Sequence, residues 1–244
     1  MDTSGTYMRA GVPTGMWGNA PSPASADYDT VVHHYFNDFR ALSADYDVTN
    51  EWTASETAGG CTQAITADVV NGELLLTNEA TTDNSGCQVQ LKQESFLLAT
   101  GKKLWFECRI KANAATQNDV YAGMIVTEDL TAVADNMAGN GVVFHKDDGA
   151  TVIKLTSSDN GTNLQNATAG TLATAYIRLG FYFDGGATGA ATITPYVNGV
   201  AGTAIADITY ATMSELSVVL GVRNGDGTTT QTLTIDYVKV VQLR

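Results

Sequence analysis

The tightest constraint on the fold lies between Tyr176 and Gly199, where the chain reads YIRLGFYFDGGATGAATITPYVNG. Ile177, Leu179, Phe181 and Phe183 take every second position, and Arg178, Gly180, Tyr182 and Asp184 fill the places between. A period of two sets the first group on one face of a strand and the second on the other, the pattern of a sheet with one face in a core. Ile193, Pro195 and Val197 carry the pattern into a second strand, which ends at Asn198-Gly199. That dipeptide supplies the positive φ angles of a tight hairpin turn, so a third strand is expected at once.

The same signals recur through the chain. Leu104, Phe106, Cys108 and Ile110 alternate with Trp105, Glu107, Arg109 and Lys111, and Asn71-Gly72 separates QAITADVV from ELLLTN. VVHHYFNDF, EWTAS, GCQVQLKQES, DVYAGMIVTE, GVVFHKD, TVIKLTSS, VAGTAIADI, SVVLGVRNGDG and QTLTIDYVKVVQLR read as further strands, with YATMSEL forming one helical turn. About 12 to 14 strands with frequent turns predict an all-β, two-sheet antiparallel sandwich over residues 31–244. No internal repeat and no second boundary interrupts that span.

Residues 1–30 differ. Three of the four prolines (Pro13, Pro21, Pro23) lie here with several glycines, and no periodic apolar face can be drawn. Such a segment buries too little alone to offset its ordering entropy, so it is either a flexible tail or an extended N-terminal arm that orders against a partner, and the arm is the favoured reading. Tyr7, Met8, Met16 and Trp17 are residue types that anchor interfaces, so they are the candidate partner-binding residues of the arm.

With 13 basic against 26 acidic side chains the net charge is -13, which opposes nucleic-acid and anionic-membrane binding. No apolar run approaches the roughly 20 residues of a membrane span, and the first residues lack the apolar core of a secretory signal, so the expectation is a chain that starts in the cytosol or has lost its signal. Cys61, Cys87 and Cys108 have neither paired spacing nor a nearby histidine, which argues against a zinc site. Cys108 alternates in phase with core residues and reads as buried. Cys61 and Cys87 are able to meet across strands, yet a disulfide is disfavoured for a chain without a signal.

The chemistry is thin. Neighbouring His33 and His34 point to opposite faces of any strand and cannot chelate one ion together. Glu128-Asp129, Asp147-Asp148 and the pair Asp45 and Asp47 do not frame a scissile bond as two close carboxylates would. There is no GxSxG elbow, and His33, His34 and His145 are the candidate imidazole bases. Asn160-Gly161-Thr162 and Asn166-Ala167-Thr168 match the glycosylation sequon. No cofactor or metal is expected. Trp105 and Tyr182, on the polar sides of their strands, are candidate stacking platforms for sugar rings, Trp105 having as its competing reading a cover for the sheet beneath a loop.

The strand Tyr176–Leu179, the strand end Phe183-Asp184-Gly185 and Tyr196-Val197-Asn198-Gly199 together resemble the back hairpin of concanavalin A-like lectin/glucanase and laminin-G-like jelly rolls. Phe36–Phe39, Leu104–Arg109 and Ile235–Val240 are similar to other parts of that superfamily. The ExDxxE motif of its glucanases has no match here, so the expectation is a protein without catalysis. The resemblance extends to tailed-bacteriophage virion proteins. It implies a capsid decoration or cement protein on the virion surface, attached through residues 1–30 to the major capsid protein and to neighbouring copies of itself. The alternative is a carbohydrate- or receptor-binding module whose partners are glycans, with a glycoside hydrolase as a third reading.

Overall fold

The computed structural model describes residues 8–9, 12–13, 15–21, 31–40, 46–48, 50–57, 60–66, 72–79, 81–126, 139–161 and 164–244. In chain order the elements are β1 (Met8–Arg9), β2 (Val12–Pro13), a 3-10 helix (Gly15–Asn19), β3 (Val32–Asn37), β4 (Trp52–Thr57), β5 (Thr62–Ile65), β6 (Leu74–Thr77), β7 (Gly86–Leu91), β8 (Leu104–Ala112) and β9 (Asn118–Ile125). They continue with β10 (Gly141–Lys146), β11 (Val152–Ser158), β12 (Gln165–Thr171), β13 (Ile177–Phe183), β14 (Ala191–Val197), β15 (Val200–Ala201), β16 (Ile205–Ile208), β17 (Ser217–Asn224) and β18 (Thr232–Leu243).

Two antiparallel sheets face each other. The seven-stranded sheet runs β12-β11-β10-β9-β17-β7-β4, and the nine-stranded sheet runs β15-β14-β13-β8-β18-β6-β5 with β16 on β14 and β3 on β18. The predicted back hairpin is β13–β14, with Leu179 opposite Val197 and Phe183 opposite Ile193. Asn198 (φ 52°) and Gly199 (φ 85°) make the turn into β15 in the left-handed region, as their residue types foretell. At Gly72 the reason for glycine is close approach as well as φ, since a Cβ there would lie 1.8 Å from the Phe39 carbonyl oxygen.

The inward faces of both sheets build one core, from Trp52, Val89, Phe106, Phe144, Phe181, Leu220 and Ile235 among many. Phe106 and Phe181 stack across the β8–β13 pairing at 5.1 Å. In β18 the buried positions step Leu233, Ile235, then Val238, Val240. The change of parity is a bulge at Asp236, where the register against β8 shifts. Arg109 meets the displaced Asp236 carboxylate at 2.5 Å.

Several expectations are corrected. Cys61, just before β5, and Cys87, in β7, form a disulfide with Cα atoms 5.2 Å apart, tying the edge of one sheet to the other. The strand register that brings them together overturns that expectation. Cys108 is free and buried as expected, and burial pushes its thiol pKa up. YATMSEL holds no helix, and β12, whose sequence QNATAGT carries no large apolar residue, went unread because an edge strand with one buried position leaves no alternating signal.

Candidate functional site

The first candidate residues lie at the N-terminus. Tyr7 falls outside the described residues, and Met8 contributes backbone to the small β1–β2 ladder. Met16 and Trp17, on the 3-10 helix, are buried on the outer face of this chain's own nine-stranded sheet, against Trp105, Val32 and Val241. Gly180 of β13 makes the seat, since a Cβ there would come within 2.8 Å of Met16 Cε. Trp17 Nε1 donates to Glu107 Oε2 (3.1 Å), Tyr237 donates to Glu107 Oε1 (2.7 Å), and the Lys239 ammonium sits 4.2 Å from the Trp17 ring centre. Burial lowers the Lys239 pKa to about 8 against the pull of Glu107.

Trp105 and Tyr182 are brought together, their ring centres 5.3 Å apart. Trp105 is 1% exposed beneath the 3-10 helix, while Tyr182 stays partly open. The indole thus acts as the floor for Met16 and Trp17, and a sugar ring has no route to it while that helix is seated.

A different cluster occupies the outer face of the seven-stranded sheet. Inward residues Ile153, Leu155, Val142, Phe144, Val120, Ala122, Val218 and Leu220 hold strands β9–β11 and β17 on the core, which turns their alternate residues outward. Register then aligns Thr168, Lys154, His145, Tyr121, Gly221, Gln88 and Ser55 in one row across the sheet. The neighbouring row is Asn166, Thr156, Val143, Gly123, Val219, Gln90 and Thr53. These residues come from six connections' worth of sequence, and pairing alone brings them together.

The middle of this face is closed. Tyr121, Ile125, Val143 and Val219 form a small apolar cluster, each at most 1% exposed. The Tyr121 ring lies flat over β17, where a Cβ on Gly221 would sit 2.1 Å from Tyr121 Cζ. Among the described residues its buried hydroxyl has no hydrogen-bond partner, and burial drives its pKa well upward. Asp119, 8% exposed at the end of β9, has its carboxyl pKa raised to about 6 by burial, although it accepts the Asp148 amide at 2.7 Å and lies near Arg223.

The flank formed by β10–β12 is half open and carries a connected set of polar groups. His145 Nε2 lies 2.9 Å from Thr156 Oγ1, and Thr156 donates to Asn166 Oδ1 at 2.5 Å. Because that hydroxyl proton is committed to Asn166, the Thr156 oxygen is the acceptor for Nε2–H. His145 Nδ1 is 3.2 Å from Asp147 Oδ1, and Lys154 Nζ is 3.5 Å from Asp147 Oδ2. The Lys154 and Asp147 side chains are 44% and 48% exposed, so this end offers donors and acceptors to solvent. Sequence reading weighed His145 only as a lone base and Asn166 only as a sequon. The signal it passed over is the alternation of Lys154, Thr156 and Ser158 with Ile153, Leu155 and Ser157, which places three polar residues on one face. Among the described residues no three His, Cys, Asp or Glu side chains are arranged to hold a metal ion.

No family model and no curated protein matches the chain. Solved structures do. An endo-1,3-beta-glucanase from Streptomyces sioyaensis aligns with a TM-score of 0.63 at 17% identity, over 92% of this chain and 99% of that one. An endo-beta-1,4-glucuronan lyase from Trichoderma reesei aligns at 0.57 and 12% identity, over 84% and 94%. Peanut lectin aligns at 0.56 and 11%, over 87% and 98%. The fold is therefore the concanavalin A-like jelly roll of glucanases and lectins. The expectation that the chain is not an enzyme is corrected by the first two of these matches: the same sandwich is the scaffold of a glucanase and a lyase, so a missing ExDxxE motif does not remove catalysis from consideration.

Proposed function

We propose that the chain recognises a neutral glycan along the β10–β12 flank of the seven-stranded sheet. The observation that carries the reading is the half-open network of His145, Asp147, Lys154, Thr156 and Asn166, in which the hydrogen-bonded run His145–Thr156–Asn166 and the exposed Lys154–Asp147 pair beside it pre-set donors and acceptors on a rigid sheet. Lys154 and Arg223 are balanced on this face by Asp147 and Asp119, and the net charge of -13 disfavours an anionic polymer. The glucanase and lectin among the similar structures make saccharides the ligand class to test first.

Affinity electrophoresis against a panel of β-1,3- and β-1,4-glucans and uronans, with reducing-sugar and unsaturated-product release followed in the same samples, tests binding and turnover together. Retardation by a neutral glucan is expected, weakened about tenfold in Lys154→Ala and in Asn166→Ala, each of which removes about one to two hydrogen bonds. Equal migration in every gel, or retardation untouched by both variants, would refute the assignment.

A second reading, attachment to a phage particle, is favoured by the proline- and glycine-rich composition of residues 1–30. Co-sedimentation of the full chain, and of a chain lacking residues 1–14, with tail-less phage heads tests it: loss of binding on deletion is expected, and absence of the full chain from the pellet would end the idea.

A further inference from the structure

We propose that the sandwich has a second ligand site, a pocket for one neutral sugar ring or a polyol of that size, at the edge where β3 of one sheet passes the start of β4 and the end of β7 of the other. The inference does not depend on the glycan reading of the seven-stranded sheet. It rests on a cavity of about 270 Å³ lined by His33, Tyr35, Asn50, Glu51, Gln93 and Phe96, with His34, Leu91 and Ser95 completing the wall. That volume lies just under the roughly 300 Å³ at which drug-sized pockets begin, so the fit is to a single ring and not to an oligomer.

The walls are built, and their parts are held. Tyr35 and His33 are the inward-pointing residues of β3, opposite in sense to Val32, which packs with Trp105 and Val241 on the outer face. The Tyr35 ring leans edge-on against the buried Trp52 at 6.2 Å, and its hydroxyl accepts from Asn37 Nδ2 at 3.2 Å. His33 lies against Phe96 with ring centres 4.6 Å apart, an aromatic surface of the kind that sugar C–H groups cover. On the other wall Asp47 fixes the turn that presents the polar groups. Its carbonyl oxygen accepts the Glu51 and Trp52 amides at 2.9 and 2.8 Å, and its carboxylate takes the Asn50 amide and side chain at 3.1 and 2.7 Å. Lys92 closes the strand end by donating its amide to the Glu51 carbonyl at 2.9 Å.

The chemistry of this lining selects its ligand. Glu51 is the one carboxylate, Asn50 and Gln93 are amides, and Ser95 is a hydroxyl, a set of acceptors and donors that suits vicinal hydroxyl groups. Burial, with Arg244 and His34 nearby, lowers the His33 pKa, so the His33 ring is neutral at neutral pH, and Glu51 is the one carboxylate in the lining. An anionic sugar is thereby disfavoured.

The test is amide-resolved NMR titration of the full chain with D-glucose, D-galactose, N-acetyl-D-glucosamine and D-glucuronate, each to tens of millimolar. Saturable shifts at residues 33–35, 50–51 and 91–96 are expected for at least one neutral sugar and not for glucuronate. Glu51→Gln should weaken that sugar at least tenfold, and Ser95→Tyr, which fills the mouth from an exposed position, should abolish the shifts while leaving the thermal midpoint in place. Lys154→Ala, on the other site, should change nothing here. Absence of saturable shifts for all three neutral sugars, tighter binding of glucuronate, or shifts that survive both Glu51→Gln and Ser95→Tyr in folded protein would overturn the proposal.

Discussion

Reducing the Cys61–Cys87 bond should cost the fold a predictable amount, because the bond closes a loop with a sequence separation of 26 residues. In the chain-entropy description the penalty grows as the logarithm of loop length, and 26 residues correspond to about 3.5 kcal/mol at 25 °C. For a chain of 244 residues each kcal/mol moves the thermal midpoint by about 2–4 °C, so a fall of roughly 7–14 °C is expected. The assay is thermal unfolding of oxidised protein, of protein held in reductant, and of the Cys61→Ser/Cys87→Ser double variant. The latter two should coincide, since Cys108 is buried and free in either form. Thiol titration of the native oxidised chain should find no reactive group, and titration after unfolding should find one. Three thiols after non-reducing unfolding, or a midpoint that reductant and the double substitution leave within 2 °C, would show that register does not bring the two sulfurs together.

Three further outcomes follow from the packing. Gly221→Ala places a methyl in the Tyr121 ring, so it should destabilise by about 1–3 kcal/mol in urea unfolding, and the double variant with Tyr121→Ala should recover part of that loss. Asp119 has a folded pKa of about 6 against an ordinary 3.8, so its ionised form is the disfavoured one. Its contribution is fully present below pH 4 and is lost as pH rises through 6, by about 3 kcal/mol, and Asp119→Asn should flatten that part of the pH profile of the urea midpoint. Trp17→Ala removes a buried indole and its bond to Glu107, so undocking of residues 15–20 should be easier by at least about 2 kcal/mol, seen as an approximately 30-fold faster proteolytic cut before β3 with the global midpoint little changed.

Local periodicity carried most of the architecture. The alternation at Ile177–Phe183 and Leu104–Ile110 and the Asn198-Gly199 turn are properties of neighbouring residues, and a strand's faces follow from them whatever the strand pairs with. Two β-sheets with one apolar face each have a sandwich as their stable arrangement, so the fold class was legible before any contact was known.

The sites were not legible, because each is made by residues that are unremarkable on their own strands. Lys154, Thr156 and Asn166 look like an ordinary solvated face, and only the order β12-β11-β10-β9-β17 sets them beside His145 and lays Tyr121 over Gly221. Trp105 has the alternation of an outward residue and is outward, yet it is buried, since alternation names a face and not what lies upon it; Met16 and Trp17 supply that answer from the far end of the chain. The Cys61–Cys87 bond and the cavity between β3 and β4 likewise depend on how one sheet sits over the other. What the sequence determined by itself is the pleat, the turns and the core. What tertiary structure decided is which outward faces are covered and which remain open to a ligand, because long-range pairing and sheet stacking leave no period in the chain.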